Sequence, residues 1–212
     1  MTTEHATQLR NHWWWRPGWR ADRQFYTWHL TFTGQRDLHR LVTAYQHALR
    51  DVPGLDLIPV DWLHLTMQGV GFVDEIAPAD IRAIADTATR HLAELPPAKV
   101  TFHRPVVRPE ALALPPTPIE TLFAIRDAIR AGIAAVWGDD HVPETNNRFQ
   151  PHLSMAYVNT DGPATAAVAA LNSVQPEPAH VTVTEASLIV LHRDDHLYHW
   201  DTFASGQFAA QS

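Results

Sequence analysis

Two short segments carry residue types suited to acid–base chemistry: Trp62-Leu63-His64-Leu65-Thr66-Met67-Gln68 and Pro151-His152-Leu153-Ser154-Met155-Ala156-Tyr157. Each contains His-Leu-Thr/Ser-Met, and the two histidines stand 88 residues apart. On a strand, successive side chains point to opposite faces. Leu63, Leu65 and Met67 then enter a core while His64 and Thr66 share the other face. Leu153 and Met155 against His152 and Ser154 repeat the pattern. An imidazole with a hydroxyl two residues on, presented twice, is a kit for gripping and cleaving a phosphodiester. In-line attack at phosphorus needs one proton removed from the nucleophile and another delivered to the leaving oxygen. Two imidazoles with ordinary pKa values near 6.5 divide those tasks at neutral pH. The hydroxyls donate hydrogen bonds to the non-bridging oxygens as charge develops there. No metal is required if the four groups converge.

Converging them is the task of the elements between. Phe25–Phe32 is aromatic and β-branched, a strand. Leu38, Leu41, Val42, Tyr45 and Leu49 recur at helical spacing up to Pro53-Gly54. Leu55–Pro59 and Trp62–Gly69 read as extended segments joined by a turn near Asp61. A second helix follows Pro78, with Ile81, Ile84, Ala85, Ala88, Leu92 and Leu95 on one face. Lys99–Arg108 and Glu110–Leu114 suggest a hairpin. A third helix carries Leu122, Ile125, Ile129, Ile133 and Val136, and the polar loop Gly138–Asn147 leads to a strand near Phe149–Val158. A short alanine-rich helix near Ala164–Val174 and strands near Val181–His192 and Leu197–Phe203 close the chain. Strands and helices alternate similarly on both sides of a seam near Pro115–Pro118. The expectation is an α+β fold of two lobes: a Trp/Arg-rich arm over 1–23, one bilobal domain over 24–205 and a tail over 206–212. The arm holds Trp13, Trp14, Trp15 and Trp19 around the turn-forming Pro17-Gly18. It reads as a flap over a core edge or as a gate that stacks on bases.

Composition narrows the function classes. The chain has 212 residues and no cysteine, which removes disulfides, thiolate metal sites, cysteine nucleophiles and the cysteine-dependent deaminase signature. A net charge of -7 argues against a global field for long duplex nucleic acid. Lys99 is the lone lysine beside 15 arginines, so a Walker or Schiff-base lysine has one possible position. There is no P-loop and no GxSxG elbow, and Gly69 and Gly71 lack the third glycine of a dinucleotide fingerprint. With no leader-like or membrane-length apolar run, the expected setting is cytoplasmic, away from membranes.

The two His-Leu-hydroxyl motifs in matching apolar flanks, His152 preceded by Pro151, resemble the 2H phosphoesterase superfamily, which includes LigT-like 2'-5' RNA ligases and RNA 2',3'-cyclic phosphodiesterases. The resemblance spans about Phe25 to Phe203. It implies a bilobal α+β fold with pseudo-twofold symmetry, two mainly antiparallel sheets flanked by helices, and a central cleft. It also implies cofactor-free, metal-independent cleavage of cyclic or 2'-5' phosphodiesters. Carried over by position, His64 protonates the leaving ribose oxygen and His152 activates water, roles the symmetry makes interchangeable; Thr66 and Ser154 hold the phosphate. The expected partner is a nucleotide or short RNA with a 2',3'-cyclic phosphate or 2'-5' linkage, or a small cyclic-phosphate metabolite. Candidate substrate-binding residues are Trp62, Phe72, Arg148, Phe149 and Tyr157. Strand parity puts Trp62 on the face of His64 and Tyr157 on the core face with Leu153.

Two rival readings stand beside this one. His192, His196 and His199, with Asp194 and Asp195, offer ligands to a zinc or manganese hydrolase, although Asp194-Asp195 between strand-like runs also reads as a hairpin turn. A non-catalytic module recognising an RNA end or nucleotide would use the arm and the arginines, but pure binding does not need both His64 and His152.

Overall fold

The apolar periodicity of the helices sets which faces are buried. The computed structural model describes residues 4–145 and 149–210. In it α1 (Arg36–Leu49) buries Leu38, Leu41, Val42, Tyr45 and Leu49 along one side. Helix α2 (Pro78–Leu92) starts on a proline whose missing N–H would have no partner in the first turn anyway. It buries Ile81, Ile84, Ala85, Ala88 and Leu92. Helix α3 (Glu120–Trp137) buries Leu122, Ile125, Ile129 and Ile133, and α4 (Thr165–Asn172) is short and alanine-rich. Helices α2 and α3 approach so closely at Gly132 that a Cβ there would lie 2.5 Å from the Ala88 backbone. The Thr87 hydroxyl uses that proximity, donating to the Gly132 carbonyl at 2.8 Å.

The strands in chain order are β1 (Gln8–Leu9), β2 (Phe25–Thr31), β3 (Leu55–Leu57), β4 (His64–Phe72), β5 (Ala98–Phe102), β6 (Val106–Val107), β7 (Ala111–Leu114), β8 (Pro116–Thr117), β9 (Leu153–Val158), β10 (Gly162–Pro163), β11 (Ala179–Val183), β12 (Glu185–His192) and β13 (His199–Gln207). An eight-stranded antiparallel sheet runs β13-β12-β2-β4-β9-β7-β6, with β3 also on β9. Smaller sheets run β11-β5-β8 and β1-β10. The large sheet is two half-sheets meeting at one residue pair, Leu65 of β4 opposite Leu153 of β9. Helices α2 and α3 pack on the half with β4, and α1, backed by α4, packs on the half with β9. Among the described residues the result is an α+β, two-lobed architecture of antiparallel sheets and four helices, without a closed barrel. Among the described residues no helix is long and apolar enough to cross a membrane.

Several boundaries differ from the sequence expectation. The lobes interleave: β12 and β13 complete the half-sheet of β2 and β4, while α1 and β3 from the first half of the chain lie with β9. Pro115–Pro118 therefore lies within a sheet, at β8, where a proline is tolerated because an edge strand leaves one row of N–H groups unpaired. The expected hairpin of Lys99–Arg108 with Glu110–Leu114 is split. β5 joins the three-stranded sheet, the chain turns through Pro105, and only β6 pairs with β7. The turn near Asp61 is a 3-10 turn over Val60–Trp62, so β4 begins at His64 rather than Trp62. Strand β13 runs to Gln207, and Phe208 in the expected tail is buried.

Candidate active site

The pairing of β4 with β9 assembles the two motifs. In an antiparallel pair, the residue before one member of a rung faces the residue after the other. With Leu65 opposite Leu153, His64 lies across from Ser154 and Thr66 across from His152. Both leucines are fully buried, and the four polar side chains on the other face line one cleft of about 690 Å³.

Each motif strand carries a bulge just after its hydroxyl. Between Trp28–Gln68 and His29–Thr66 the pairing of β2 with β4 leaves out Met67. Between Leu112–Ala156 and Ala113–Ser154 the pairing of β7 with β9 leaves out Met155. An extra residue shifts side-chain parity by one. Positions 64, 66 and 69 on one side, and 152, 154 and 157 on the other, accordingly line the cleft. This corrects the parity argument for Tyr157: the bulge at Met155 turns it from the core face into the cleft.

The imidazoles are held alike. His64 Nδ1 lies 2.9 Å from the Trp62 carbonyl, and His152 Nδ1 lies 2.8 Å from the Gln150 carbonyl. A carbonyl oxygen only accepts, so Nδ1 carries the proton in both rings. Each Nε2 is then a base when the ring is neutral and an acid when it is charged. Burial pushes the His64 pKa down from 6.5 to about 4, and the His152 charge adds to this, against the Trp62 hydrogen bond. His152 is also shifted down, by burial and by the Arg108 guanidinium.

His29 supports this pair from β2. Its ring stacks on His64 at 4.4 Å with a 3° interplanar angle, and its Nε2 lies 3.2 Å from Thr66 Oγ1. His29 Nδ1 is buried without a hydrogen-bond partner among the described residues. A bare acceptor is tolerated better than a bare N–H, so Nε2–H donates to Thr66 and leaves the hydroxyl proton free to point into the cleft.

The arm forms one wall of the cleft, with Arg10, His12, Arg16 and Trp19 lining it. His12 stacks on Tyr157 at 4.2 Å, and its Nε2 lies 3.0 Å from the Tyr198 hydroxyl. Burial, followed by the charges of Arg16 and Arg193, pushes the His12 pKa down to about 3. The buried Arg193 secures the arm by donating to the His12 and Trp14 carbonyls at 2.8 and 3.0 Å. Trp13 donates to Asp56 at 2.8 Å, whereas Trp14 and Trp15 stay half exposed.

The other expected residues fall in different places. Trp62 sits in the turn before β4. Its side chain packs at 4.9 Å on Trp200 in a separate recess, and what it contributes to the cleft is the carbonyl that holds His64. Phe72 lies one layer back, against Trp19 and Phe25, which line the cleft. Phe149 lines an adjoining recess shared with Thr66, Arg108 and His152, where the Arg126 guanidinium lies 4.5 Å from its ring. Arg148 lies outside the described residues. His192 and His199 stack at 4.7 Å, while His196 is turned to Asp56 at 3.2 Å and onto Trp13, so the three imidazoles do not converge.

Sequence reasoning missed His12, His29, Arg108, Glu110 and Tyr198. One signal was available: Phe25, Thr27 and His29 alternate along β2 and all reach the cleft, so two polar residues in an apolar strand marked its open face.

A family model of the 2'-5' RNA ligase superfamily matches residues 35–195, both motifs included. No protein with a curated description matches the chain in sequence. Among solved structures, TT0787 of Thermus thermophilus superposes with a TM-score of 0.67 at 16% identity, covering 90% of this chain and 100% of that one. E. coli LigT in apo form gives 0.60 at 14% identity, with the same coverage. LigT complexed with 3'-AMP gives 0.63 at 14% identity, again over 90% of this chain and 100% of that one. Those structures establish a LigT-like fold, and with the family match across both motifs the chain is a member of the 2'-5' RNA ligase (2H phosphoesterase) superfamily.

Proposed function

We propose that this protein hydrolyses a 2',3'-cyclic phosphate at an RNA end or on a nucleotide to a 2'-phosphate, by acid–base catalysis between two histidines and without a metal. The observation that carries the reading is the Leu65–Leu153 rung, which sets two imidazoles and two hydroxyls on one face of one cleft. LigT has been captured with phosphate, ATP and 3'-AMP, which supports a nucleotide ligand for a cleft of this fold.

In this reading Thr66 and Ser154 donate to the non-bridging oxygens. His152, less buried than His64, takes a proton from water at Nε2 as the water oxygen attacks phosphorus. The bond from phosphorus to O3' breaks, and His64, at the buried end among aromatic rings, gives its Nε2 proton to that oxygen. The products are a 2'-phosphate and a 3'-hydroxyl. The bound phosphate's negative charge favours the charged imidazole that the free cleft disfavours. A 5'-hydroxyl taking the place of water would form a 2'-5' linkage, the joining reaction of the family name.

The test is turnover of a 2',3'-cyclic mononucleotide in EDTA, with His64→Ala and His152→Ala alongside. Turnover that survives EDTA and is lost in both variants is expected; activity retained by both would overturn the reading. Binding without turnover in the parent protein would instead favour a recognition module. Because both free imidazoles titrate below 6.5, the bell-shaped kcat/KM profile should peak on the acidic side of that value.

A further inference from the structure

The charges lining the cleft do not cancel. Glu110 is taken by Arg16 at 2.7 Å, and Glu144 by Arg126 at 3.3 Å. Arg10 and Arg108 line the same cleft and form no ion pair among the described residues. The Arg108 guanidinium makes one long contact, 3.5 Å to Gln150 Oε1. It is half buried, and burial disfavours its charged form. Removing an unpaired cation from water is unfavourable, so its position makes sense when an anion arrives with the substrate. The Arg10 amide donates to the Pro109 carbonyl at 2.7 Å, which ties the segments that carry the two arginines together at the cleft.

The count of charges then says something about the substrate. A bound cyclic phosphodiester carries one negative charge, and the imidazolium that acts as the acid carries the matching positive one. Neither arginine is then needed to balance the reacting phosphate, and both remain for a second anion.

We propose that Arg10 and Arg108 form an anion subsite for a second phosphate of the substrate, beside the reacting one. The substrate class is then a ribonucleotide end bearing both a cyclic phosphate and a further phosphate, either a 5'-phosphate or the preceding internucleotide linkage. This rests on the cyclic-phosphate reading above. Arg10 precedes residue 35, where the family match begins, so half of the subsite lies outside the matched segment.

The test is a binding titration of the full chain, read by tryptophan fluorescence, at low and moderate salt. Three ligands that the reaction does not consume are compared: 3'-AMP, adenosine 3',5'-bisphosphate and the dinucleotide ApAp with a 5'-hydroxyl. At least one two-phosphate ligand should bind about tenfold tighter than 3'-AMP, as expected for an added charge-assisted contact, and with a steeper salt dependence. The Arg10→Gln/Arg108→Gln double variant should remove that gain while changing 3'-AMP affinity less. Which ligand shows the gain identifies the source of the second phosphate. Equal affinities for one- and two-phosphate ligands, a gain that survives in the double variant, or the same loss for all three would overturn the subsite; the last would assign both arginines to the reacting phosphate. Cyclic-nucleotide turnover measured in parallel separates the two ideas. Turnover without a two-phosphate gain sinks the subsite alone, and a gain without turnover sinks the cyclic-phosphate reading alone.

Discussion

β4 and β9 present the same His-Leu-hydroxyl-Met run, with the same bulge at the methionine and the same Nδ1 bond to a carbonyl two residues back. Their surroundings differ. His64 is 8% exposed and faces the rings of His29 and Trp200, and across from it Ser154 is 7% exposed. At the other end of the rung Thr66 is exposed and His152 is partly buried, next to Arg108. Where β2 places the imidazole of His29 opposite Thr66, β7 places only the methyl of Ala113 opposite Ser154. The His-Leu-hydroxyl run repeats in the sequence, and the environments diverge because residues from outside the repeat pack around each copy. That divergence gives two chemically similar imidazoles different access to solvent.

The broadest attack on this comparison removes each imidazole. His64→Ala and His152→Ala should each lower kcat by ~10²–10⁴-fold, read in single-turnover assays, so that a near-normal rate in one variant would leave a single working end. Next in size are the hydroxyls. Thr66→Val and Ser154→Ala should each cost about 10²-fold in kcat with little change in KM, as for loss of a donor to developing charge; a pure KM effect would assign them to ground-state binding.

The buried end should also show in stability. His64 titrates near 4 in the folded chain and near 6.5 unfolded, so between those values the unfolded chain binds the extra proton. Stability is then complete above about pH 6.5 and declines as pH falls toward 4, by roughly 3 kcal/mol from this ring. Urea unfolding at pH 7.5 and 5.0 measures the loss. His64→Phe should flatten the difference more than His152→Phe, and the reverse order would mean the two ends are wrongly ranked by burial. The smallest effect is expected at His29. His29→Phe keeps a stacked ring but loses the donor to Thr66, and should lower kcat about tenfold, the scale of one hydrogen bond. On a Thr66→Val background it should lower kcat no further, and additive losses would show that His29 acts on the fold rather than on that hydroxyl.

Local pattern carries a definite part of this protein. The helix faces follow from spacing alone, because 3.6-residue periodicity puts Leu38, Leu41, Val42, Tyr45 and Leu49 on one side whatever the rest of the chain does. The two His-x-hydroxyl runs are legible for the same reason, since period 2 over four residues needs no partner strand. Parity over a longer run failed at Tyr157, because a bulge is a property of a strand pair and appears only once β7 is in register with β9. The Pro115–Pro118 segment looked like a seam because proline disrupts both helix and central strand, yet an edge strand accommodates it at β8.

By itself, then, the sequence determined the helices, the faces they bury and the two His-Leu-hydroxyl motifs. Tertiary structure alone decided that these motifs share one rung, that His29 backs Thr66, and that Arg10, His12, Arg108 and Tyr198 enclose the same cleft. Periodicity acts over a few residues and is written in them. Convergence of positions 10, 64, 108, 152 and 198 depends on how sheets pair and helices pack across the whole chain, and no short window of sequence contains that.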